Sequence, residues 1–406
     1  MYTDKISKKN AVVCSLGNVF VWYNYSLFMP FLVILLSEFF QDADSHVKML
    51  SGFSVFSLGL FSRPVGAYIF GRLGDRISRE KSLGVSIYLM AFATVGVALL
   101  PSYNDIGIYS TIFLAILRCL QGIAMGGASS VSIVHLVELF PKNRKCLGGA
   151  IAQSGMLLGI VLSSSMLALS CVFSEFIPKT IFCRFAFSLG ILLIPFARFN
   201  LNVKTRLDSQ NKPTKSVLQK LWLRFLATTL LTIFPASCFY VLFAFLPNYI
   251  EIRYPKTLEN ILVLVNLFTL CTILVSGYLS DKINKIYTLL IGITIAVISA
   301  FCIFFISSEL SKLLFLMGGL SLAVGIFYGA GPTFFSELFP KDSRCTGMAV
   351  SMSISQATFG GLIPIVLTKL AARNVNMIVL PIFFAVFIAI VTLIVYVKYI
   401  SKNDRI

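Results

Sequence analysis

Twelve long apolar segments, separated by short hydrophilic loops, follow one another along the 406-residue sequence. A transmembrane α-helix needs about 20 predominantly apolar residues, and each segment approaches or exceeds that length. Their approximate bounds are 11–37, 50–71, 82–100, 107–136, 146–170, 180–199, 221–248, 259–280, 286–306, 312–336, 345–369 and 377–398. Only 13% of the residues are charged, whereas soluble domains carry about 25%. The sequence therefore predicts an all-α polytopic membrane protein with twelve transmembrane helices, and it excludes a soluble enzyme, a disordered chain and a secreted disulfide scaffold.

The basic residues indicate how the chain is oriented. With the N-terminus in the cytoplasm, 24 Lys and Arg residues fall on the inner side and 8 on the outer side. Cytoplasmic loops of membrane proteins collect Lys and Arg, so both termini are predicted to be cytoplasmic. The same bias explains the net charge of +17, and no nucleic-acid partner is predicted. The N-terminal apolar run has no small-residue cleavage site, so we expect it to remain as the first span.

Two motifs recur in the second half of the sequence. GRLGDR begins at Gly71 and GYLSDK begins at Gly277, while ELFP occupies both 138–141 and 337–340. Each motif falls at the same place in a unit of six apolar segments. Internal repeats of this kind are typical of transporters whose two related bundles enclose the substrate near the membrane midplane.

The longest hydrophilic interruption lies at about residues 200–220 and leaves six apolar segments on each side. Together with the repeated motifs, it predicts two pseudo-symmetric six-helix bundles. The predicted domains are an N-terminal bundle at 1–199, a cytoplasmic linker at 200–220 and a C-terminal bundle at 221–406.

The repeated loops supply candidate gating residues. A carboxylate such as Asp75 can sit at the N-terminus of a neighbouring helix, where the helix dipole favours negative charge, and pair with a nearby Arg. The functional hypothesis is a cytoplasmic latch that holds one access state and breaks in the other. The alternative is a solvated charged loop, in which each exposed pair contributes about 0–1 kcal/mol. The candidate gating residues are Asp75, Arg76, Glu138 and Arg144 in the first half, and Asp281, Glu337 and Arg344 in the second.

Several stretches carry a resemblance to a known family. GNVFVWYNYSLF (17–28), RPVGAYIFGRLGDRISREKS (63–82), RCLQGIAMGG (118–127), the two ELFP segments and FGGLIP (359–364) resemble the metabolite–proton symporter branch of the major facilitator superfamily, whose members include proline/betaine carriers. The resemblance implies twelve helices, an inner (plasma) membrane location, alternating access and a monomer. It also implies a substrate or coupling role for Asn18, Tyr23, Asn24, Arg63, Arg118 and Gln121.

The chain departs from this family at three positions where the family carries carboxylates. These positions hold Val21, Asn24 and Ala128. Every Asp and Glu of the sequence falls in a tail, a loop or a span end, and His135 lies near an inner helix end. Proton-coupled carriers generally carry the proton on ionisable groups inside the membrane. Coupled and uncoupled transport therefore both stay open at this point.

Arg118 is placed about 11 residues into the fourth apolar segment, which is about 17 Å along a helix. An Arg at the centre of a span costs about 2.5–3.5 kcal/mol on insertion scales. Such a cost indicates a water-filled cavity or an anionic partner, and the carboxylate of a substrate could be that partner. The alternative is an Arg that is satisfied by backbone carbonyls and by Asn24, Gln121 or Gln153.

Aromatic residues of the first and seventh segments suggest a second binding mode. Trp22, Tyr23 and Tyr25, with Phe239 and Tyr240, could form a cage for a quaternary ammonium group. The alternative is ordinary packing, because 13% of the chain is aromatic. Further polar groups at cavity depth are Tyr328 and Gln356.

These residues and the resemblance predict a secondary transporter, coupled or facilitated, that imports a small zwitterionic or anionic organic solute of the proline/betaine or carboxylate type. The alternatives are a non-coupled exchanger, a drug exporter and a transporter-fold sensor or scaffold. No nucleophile–base pair and no metal-ligand spacing occurs in the sequence, so no enzyme activity, metal or cofactor is predicted. The predicted partners are the solute, with or without a co-transported proton, and the lipid bilayer.

Overall fold

A computed structural model describes residues 2–40, 45–202, 215–254 and 259–396, and the regular elements within these ranges are all helices. The predicted all-α class is confirmed. Short 3₁₀ turns extend several of the helices, and a π-helical turn at Val241–Phe245 follows α11. The helices are α1 (Tyr2–Ser26), α2 (Leu32–Phe39), α3 (Ser45–Phe61), α4 (Arg63–Arg76), α5 (Arg79–Leu99), α6 (Tyr103–Ile106), α7 (Ile108–Leu139), α8 (Lys145–Val172), α9 (Lys179–Ser188), α10 (Leu193–Asn202), α11 (Lys215–Tyr240), α12 (Leu246–Arg253), α13 (Glu259–Ser280), α14 (Lys285–Cys302), α15 (Glu309–Glu337), α16 (Arg344–Arg373) and α17 (Leu380–Val395).

Eight helical segments of the described ranges are long and apolar enough to cross a membrane. They are Arg79–Leu99, Ile108–Leu139, Lys142–Val172, Lys179–Asn202, Leu221–Phe245, Lys285–Phe305, Glu309–Glu337 and Val375–Val395. Such a set of helices defines a polytopic membrane protein. The number twelve and the cytoplasmic position of both termini stay predictions.

The first two predicted spans are interrupted in the structure. α1 and α2 are separated by a turn at 27–31 that contains Pro30. Proline has no N–H to donate to the carbonyl four residues before it, and its ring clashes with that carbonyl. α3 and α4 are likewise separated at Ser62, and Pro64 lies in the first turn of α4. The regular helix is therefore interrupted locally within each of the first two apolar segments, by a turn at 27–31 and at the single residue Ser62.

The chain divides into two compact units. Unit 1 comprises Met1–Leu139 and Gly155–Ser209, and unit 2 comprises Phe140–Ser154 and Gln210–Ile406. Helix α8 contributes its first turns to unit 2 and the remainder to unit 1. The predicted linker at 200–220 lies largely outside the described residues, and the predicted division into two six-helix bundles stays a prediction.

In unit 1, glycines bring the backbone of α7 against α3 and α4. A Cβ on Gly66 of α4 would lie 1.8 Å from the carbonyl oxygen of Ile123. A Cβ on Gly122 would lie 2.0 Å from the Gly59 carbonyl, and one on Gly126 would lie 2.1 Å from the Arg63 carbonyl. Small residues permit this approach of helix backbones in membranes. The contact places the first turn of α4 beside the middle of α7.

In unit 2, α15 packs against α13 and α14 by the same device. A Cβ on Gly329 would lie 1.9 Å from Oγ of Ser276, and one on Gly319 would lie 2.0 Å from Oγ of Ser299. α11 packs against α16, where Oγ1 of Thr232 and Oγ of Ser355 share a hydrogen bond of 2.7 Å. Small residues and interhelical hydrogen bonds of this kind are typical of helix contacts in lipid.

Candidate functional site

Arg118 lies in the interior of unit 1, on α7, with 1% of its surface exposed. Its Nη1 donates to the carbonyl oxygen of Tyr25 at 3.0 Å and to Oε1 of Gln121 at 3.0 Å. Tyr25 is in the last turn of α1, where carbonyls lack an intrahelical donor. Nε2 of Gln121 in turn donates to Oγ1 of Thr94 at 3.0 Å. The break after α1 thus supplies a backbone acceptor for a buried guanidinium, and the structure brings Arg118 and Gln121 together.

Aromatic rings surround this guanidinium. Its central carbon lies 4.4 Å from the ring centroid of Tyr25, 4.7 Å from that of Phe28 and 5.2 Å from that of Phe56. A cation within about 6 Å of an aromatic centroid is attracted by the ring quadrupole. Phe56 is a member of the cluster that the sequence analysis did not identify, because α3 lies beside α7 only after folding.

A second guanidinium contacts the same aromatic ring. Arg63, the first residue of α4, is 2% exposed, and its central carbon lies 5.6 Å from the Tyr25 centroid and 5.8 Å from that of Trp22. Its Nε finds no hydrogen-bond acceptor among the described residues, and none of their ion pairs involves it. We call Arg63 and Arg118 the arginine pair. Tyr25, whose ring both guanidiniums contact, is its central tyrosine.

The other predicted binding residues of unit 1 are buried but serve different contacts. The Tyr23 hydroxyl donates to the carbonyl oxygen of Ala186 at 3.0 Å, so it holds α1 against α9. Nδ2 of Asn24 donates to the carbonyl of Phe20 in its own helix at 2.7 Å, and its Oδ1 is buried without a partner among the described residues. Asn18 is 4% exposed. Asn24 therefore offers one acceptor, while Tyr23 is occupied.

Tyr240 and Tyr328 lie in unit 2. Tyr240 is half-buried in the last turn of α11, and its ring packs where a Cβ on Gly360 would lie, 2.5 Å from Cζ. Phe239 meets it edge-on with centroids 5.5 Å apart. Tyr328 is 5% exposed on α15. Oε1 of Gln356 on α16 is buried without a hydrogen-bond partner in the described part of the chain.

At the far end of α7, the charge cluster of the first repeated loop is organised by Arg79. Its Nη1 lies 3.2 Å from Oδ1 of Asp75 and its Nε lies 3.2 Å from Oε2 of Glu138. Nη1 also donates to the carbonyl of Gly74 at 2.6 Å. The predicted arginines Arg76 and Arg144 are exposed instead. Sequence reasoning missed Arg79, because the chain leaves α4 after Arg76 and begins α5 at Arg79, so the spacing from Asp75 is not a helical signal.

Beside this cluster lies a buried carboxylate–imidazole pair. Oε1 of Glu80 lies 3.7 Å from Nδ1 of His135, and each residue is 4% exposed. Nearby, Sγ of Cys14 on α1 lies 3.4 Å from Oγ of Ser132. The sequence analysis counted Glu80 among acids at span ends. It did not predict that the side chain is buried against α7.

In unit 2, the second repeated loop holds the beginning of α8. Oδ1 of Asp281 accepts the backbone N–H of Cys146 at 2.8 Å, and Oδ2 accepts that of Leu147 at 3.0 Å. These N–H groups are among the four that a helix N-terminus leaves without an internal partner. Glu337 pairs with Lys145 at 2.9 Å and also with Lys285. A carboxylate at a helix N-terminus is favoured by the dipole.

The last candidate gating residue, Arg344, is half-buried at the beginning of α16. Its Nε donates to the carbonyl oxygen of Phe339 at 3.3 Å. This bond lies within the turn that follows α15. Asp281 and Glu337 of the second motif join separate helices.

A family model for the Major Facilitator Superfamily matches residues 14–363, and a second match covers 255–404. The chain belongs to the Major Facilitator Superfamily. The resemblance expected from the sequence motifs is confirmed.

Relatives of this chain carry transporter names. A putative proline/betaine transporter of Staphylococcus aureus (strain COL) is 26% identical over 395 residues, covering 92% of this chain and 84% of the relative. The proline/betaine transporter of Escherichia coli (strain K12) is 25% identical over 427 residues, covering 98% and 84%. These relatives are transporters by name, and a transporter rather than an enzyme is the class they indicate.

Solved structures of the superfamily share the fold. The proton:xylose symporter XylE superposes with a TM-score of 0.73 at 16% identity, covering 97% of this chain and 95% of XylE. The human organic anion transporter MFSD10 superposes with a TM-score of 0.67 at 15% identity, covering 94% and 99%. At this identity the likeness concerns the fold alone.

The chain departs from the residue pattern that the family resemblance implies at a small cavity of unit 1. Val21 and Ala128, which stand at two of the three family carboxylate positions, line this cavity together. Its other walls include Asn18, Cys14 and Ser132. The two positions are thus neighbours in space, and apolar side chains line the cavity where the family resemblance implies carboxylates.

Proposed function

We propose that this chain is a secondary transporter that imports a small zwitterionic or anionic organic solute, of the proline/betaine or carboxylate type, by alternating access. The observation that carries the proposal is the arginine pair, Arg63 and Arg118, both buried and both within 6 Å of the Tyr25 ring. Twelve transmembrane helices, cytoplasmic termini, a plasma-membrane location and a monomer are parts of the same proposal.

The chemistry of this cluster favours a carboxylate-bearing solute. Two desolvated guanidiniums attract an anion strongly, because the low dielectric of the interior magnifies their field. The planar fork of Arg matches both oxygens of a carboxylate. The same charges repel a solute that is only cationic, whereas the ammonium group of a zwitterion can rest against the aromatic faces of Trp22 or Phe28. The names of the relatives support the proline/betaine type.

Uptake by proteoliposomes tests the proposal. We expect the wild type to take up labelled proline, glycine betaine or a small carboxylate, and Arg118→Ala to lose most of that uptake. Arg118→Lys keeps the charge but not the fork, and it should recover uptake only in part. Arg373→Ala, at an exposed position that ends α16, is the matched control. Normal uptake by Arg118→Ala would contradict the role given to the arginine pair.

Uncoupled exchange is the second candidate, and the apolar side chains of Val21 and Ala128 at carboxylate positions favour it. An exchanger would carry labelled solute into vesicles loaded with unlabelled solute, and a protonophore would leave that uptake unchanged. Uptake that collapses with a protonophore would contradict the exchanger and support a symporter. Failure of every solute in both formats would indicate a sensor or scaffold with the transporter fold.

A further inference from the structure

We propose that Glu80 and His135 together form a proton-binding site of this transporter, in place of the carboxylates that are absent at Val21 and Ala128. The coupling part of this inference rests on the proposed transport function. The proton-binding part does not, because it concerns the two side chains alone.

The pair is built into the packing of unit 1. Glu80 lies in the first turn of α5 and His135 lies near the end of α7, and these two helices pack along their length. Oε1 of Glu80 and Nδ1 of His135 are 3.7 Å apart, with each residue 4% exposed. Within the described ranges, each side chain finds its only ion-pair partner in the other.

The buried surroundings determine which protonation states this pair can adopt. Burial disfavours an unpaired charge on either side chain, so a charged Glu80 beside a neutral His135 is costly, and so is a charged His135 beside a neutral Glu80. One added proton makes the pair neutral overall. Arg79 is already held by Asp75 and Glu138. The helix ends act in the same sense, because the N-terminus of α5 favours the carboxylate and the C-terminus of α7 favours the imidazolium.

Several ionisable groups face the pair from the elements around it. The thiol of Cys14 on α1 is close enough to Glu80 for the two to interact electrostatically. The set that acts on the imidazole consists of Glu80 and Arg79 on α5 and Glu138 on α7 itself, with Asp75 on α4 acting through Arg79. The proton step is simple: water on one side of the membrane delivers one proton to the pair, and that proton leaves to water on the other side after the change of access.

The pair and the cavity at the replaced carboxylate positions lie along the same face of α7. Ala128, Ser132 and His135 follow one another at helical spacing on α7, so they share one face. Ala128 and Ser132 line the cavity together with Cys14. The face therefore runs from the cavity to the pair. By helical rise, His135 lies about 26 Å along α7 from Arg118, so coupling between proton and solute acts through the change of access and not through contact.

The first arm of the test needs no solute. The sequence contains two histidines, so His46→Gln leaves His135 as the single imidazole for ¹⁵N NMR in a pH titration of the full chain. We expect His135 to titrate, and we expect Glu80→Gln to change the pH range in which it is protonated. Glu175→Gln, an exposed carboxylate change, is the matched control. An imidazole that keeps one state from pH 4 to pH 9, or that ignores Glu80→Gln, would overturn the proposal.

The second arm measures coupling in proteoliposomes with proline and glycine betaine. With one proton per solute, a gradient of about one pH unit supports about tenfold accumulation. His135→Gln should lose this accumulation but keep exchange of labelled for unlabelled solute. Full accumulation by His135→Gln would overturn the coupling role. If the wild type moves no solute, the proposed transport function fails, and the NMR arm still decides whether the pair binds a proton.

A charge-swapped variant distinguishes a loss of proton binding from misfolding of the single variants. Glu80→His combined with His135→Glu keeps one carboxylate and one imidazole in the same space. It should restore a titrating imidazole and pH-driven accumulation. If the swap folds but neither property returns while the single variants lose both, the two residues have a purely structural role and the proposal is wrong.

Discussion

The guanidinium of Arg118 binds Tyr25 twice, through a 3.0 Å hydrogen bond to its carbonyl oxygen and through a 4.4 Å approach to its ring. The carbonyl is available because α1 ends at Ser26, before Pro30. A helix break and a buried cation thus satisfy each other. Irregular backbone at membrane depth is tolerated where it lines a cavity or meets a polar partner, and discontinuous helices frame substrate sites in transporters.

The substitution Tyr25→Phe removes the hydroxyl and keeps the aromatic ring, so it tests the two groups separately. The hydroxyl is buried without a hydrogen-bond partner among the described residues, and an unsatisfied buried polar group costs about 1–3 kcal/mol. We expect Tyr25→Phe to unfold at the same or a higher temperature than the wild type. Tyr25→Leu removes the ring as well and should lower the melting temperature. A lower melting temperature for Tyr25→Phe would show that the hydroxyl is already satisfied.

The glycine contacts between α4 and α7 predict a strong size limit. Gly66→Ala would place a Cβ 1.8 Å from a backbone carbonyl, so the helices must separate and the arginine pair must move. We expect a clear fall in melting temperature and little folded protein. Gly318→Ala is the control, since no atom lies within 4 Å of the added Cβ, and helix propensity there should add about 0.5–1 kcal/mol. Equal melting temperatures for the two variants would contradict the close packing.

Arg79 and Arg76 form a matched pair for the loop cluster of unit 1. Arg79→Ala leaves Asp75 and Glu138 without the guanidinium that joins them, and removal of one partner from a buried pair costs about 3–5 kcal/mol. Arg76→Ala, at an exposed position, should change the stability little. Thermal unfolding of both variants in the same detergent measures the difference. Similar losses at the two positions would argue for general charge effects rather than a specific cluster.

Asp281 gives a graded test at the start of α8. Asp281→Asn keeps one acceptor for the N–H groups of Cys146 and Leu147, whereas Asp281→Ala keeps none. Loss of a helix cap costs about 0.5–2 kcal/mol, so stability should fall in the order wild type, Asn, Ala. Asp342→Ala, an exposed change, is the control. A ranking in which Ala matches the wild type would contradict the role of Asp281 as the cap of α8.

Much of the fold could be predicted from the sequence, because the lengths of the apolar segments and the repeated loops between them directly indicate membrane-spanning helices. The two breaks could also have been predicted, since Pro30 and Pro64 stand inside the first two apolar segments. The carboxylate–imidazole pair could not. Glu80 and His135 are far apart in the chain, and their meeting depends on how α5 packs against α7. For the same reason, the sequence could not identify Phe56 and Arg63 as neighbours of Arg118 around Tyr25.

Binding of solute to the purified protein tests directly whether Arg118 holds the solute. A ligand that binds the folded state raises the melting temperature by mass action, and proline, glycine betaine and small carboxylates form the panel. We expect a rise with at least one of them and its loss in Arg118→Ala, because a hydrogen bond to a charged group contributes about 1.5–3 kcal/mol. An equal rise in the wild type and in Arg118→Ala would contradict a binding role for Arg118.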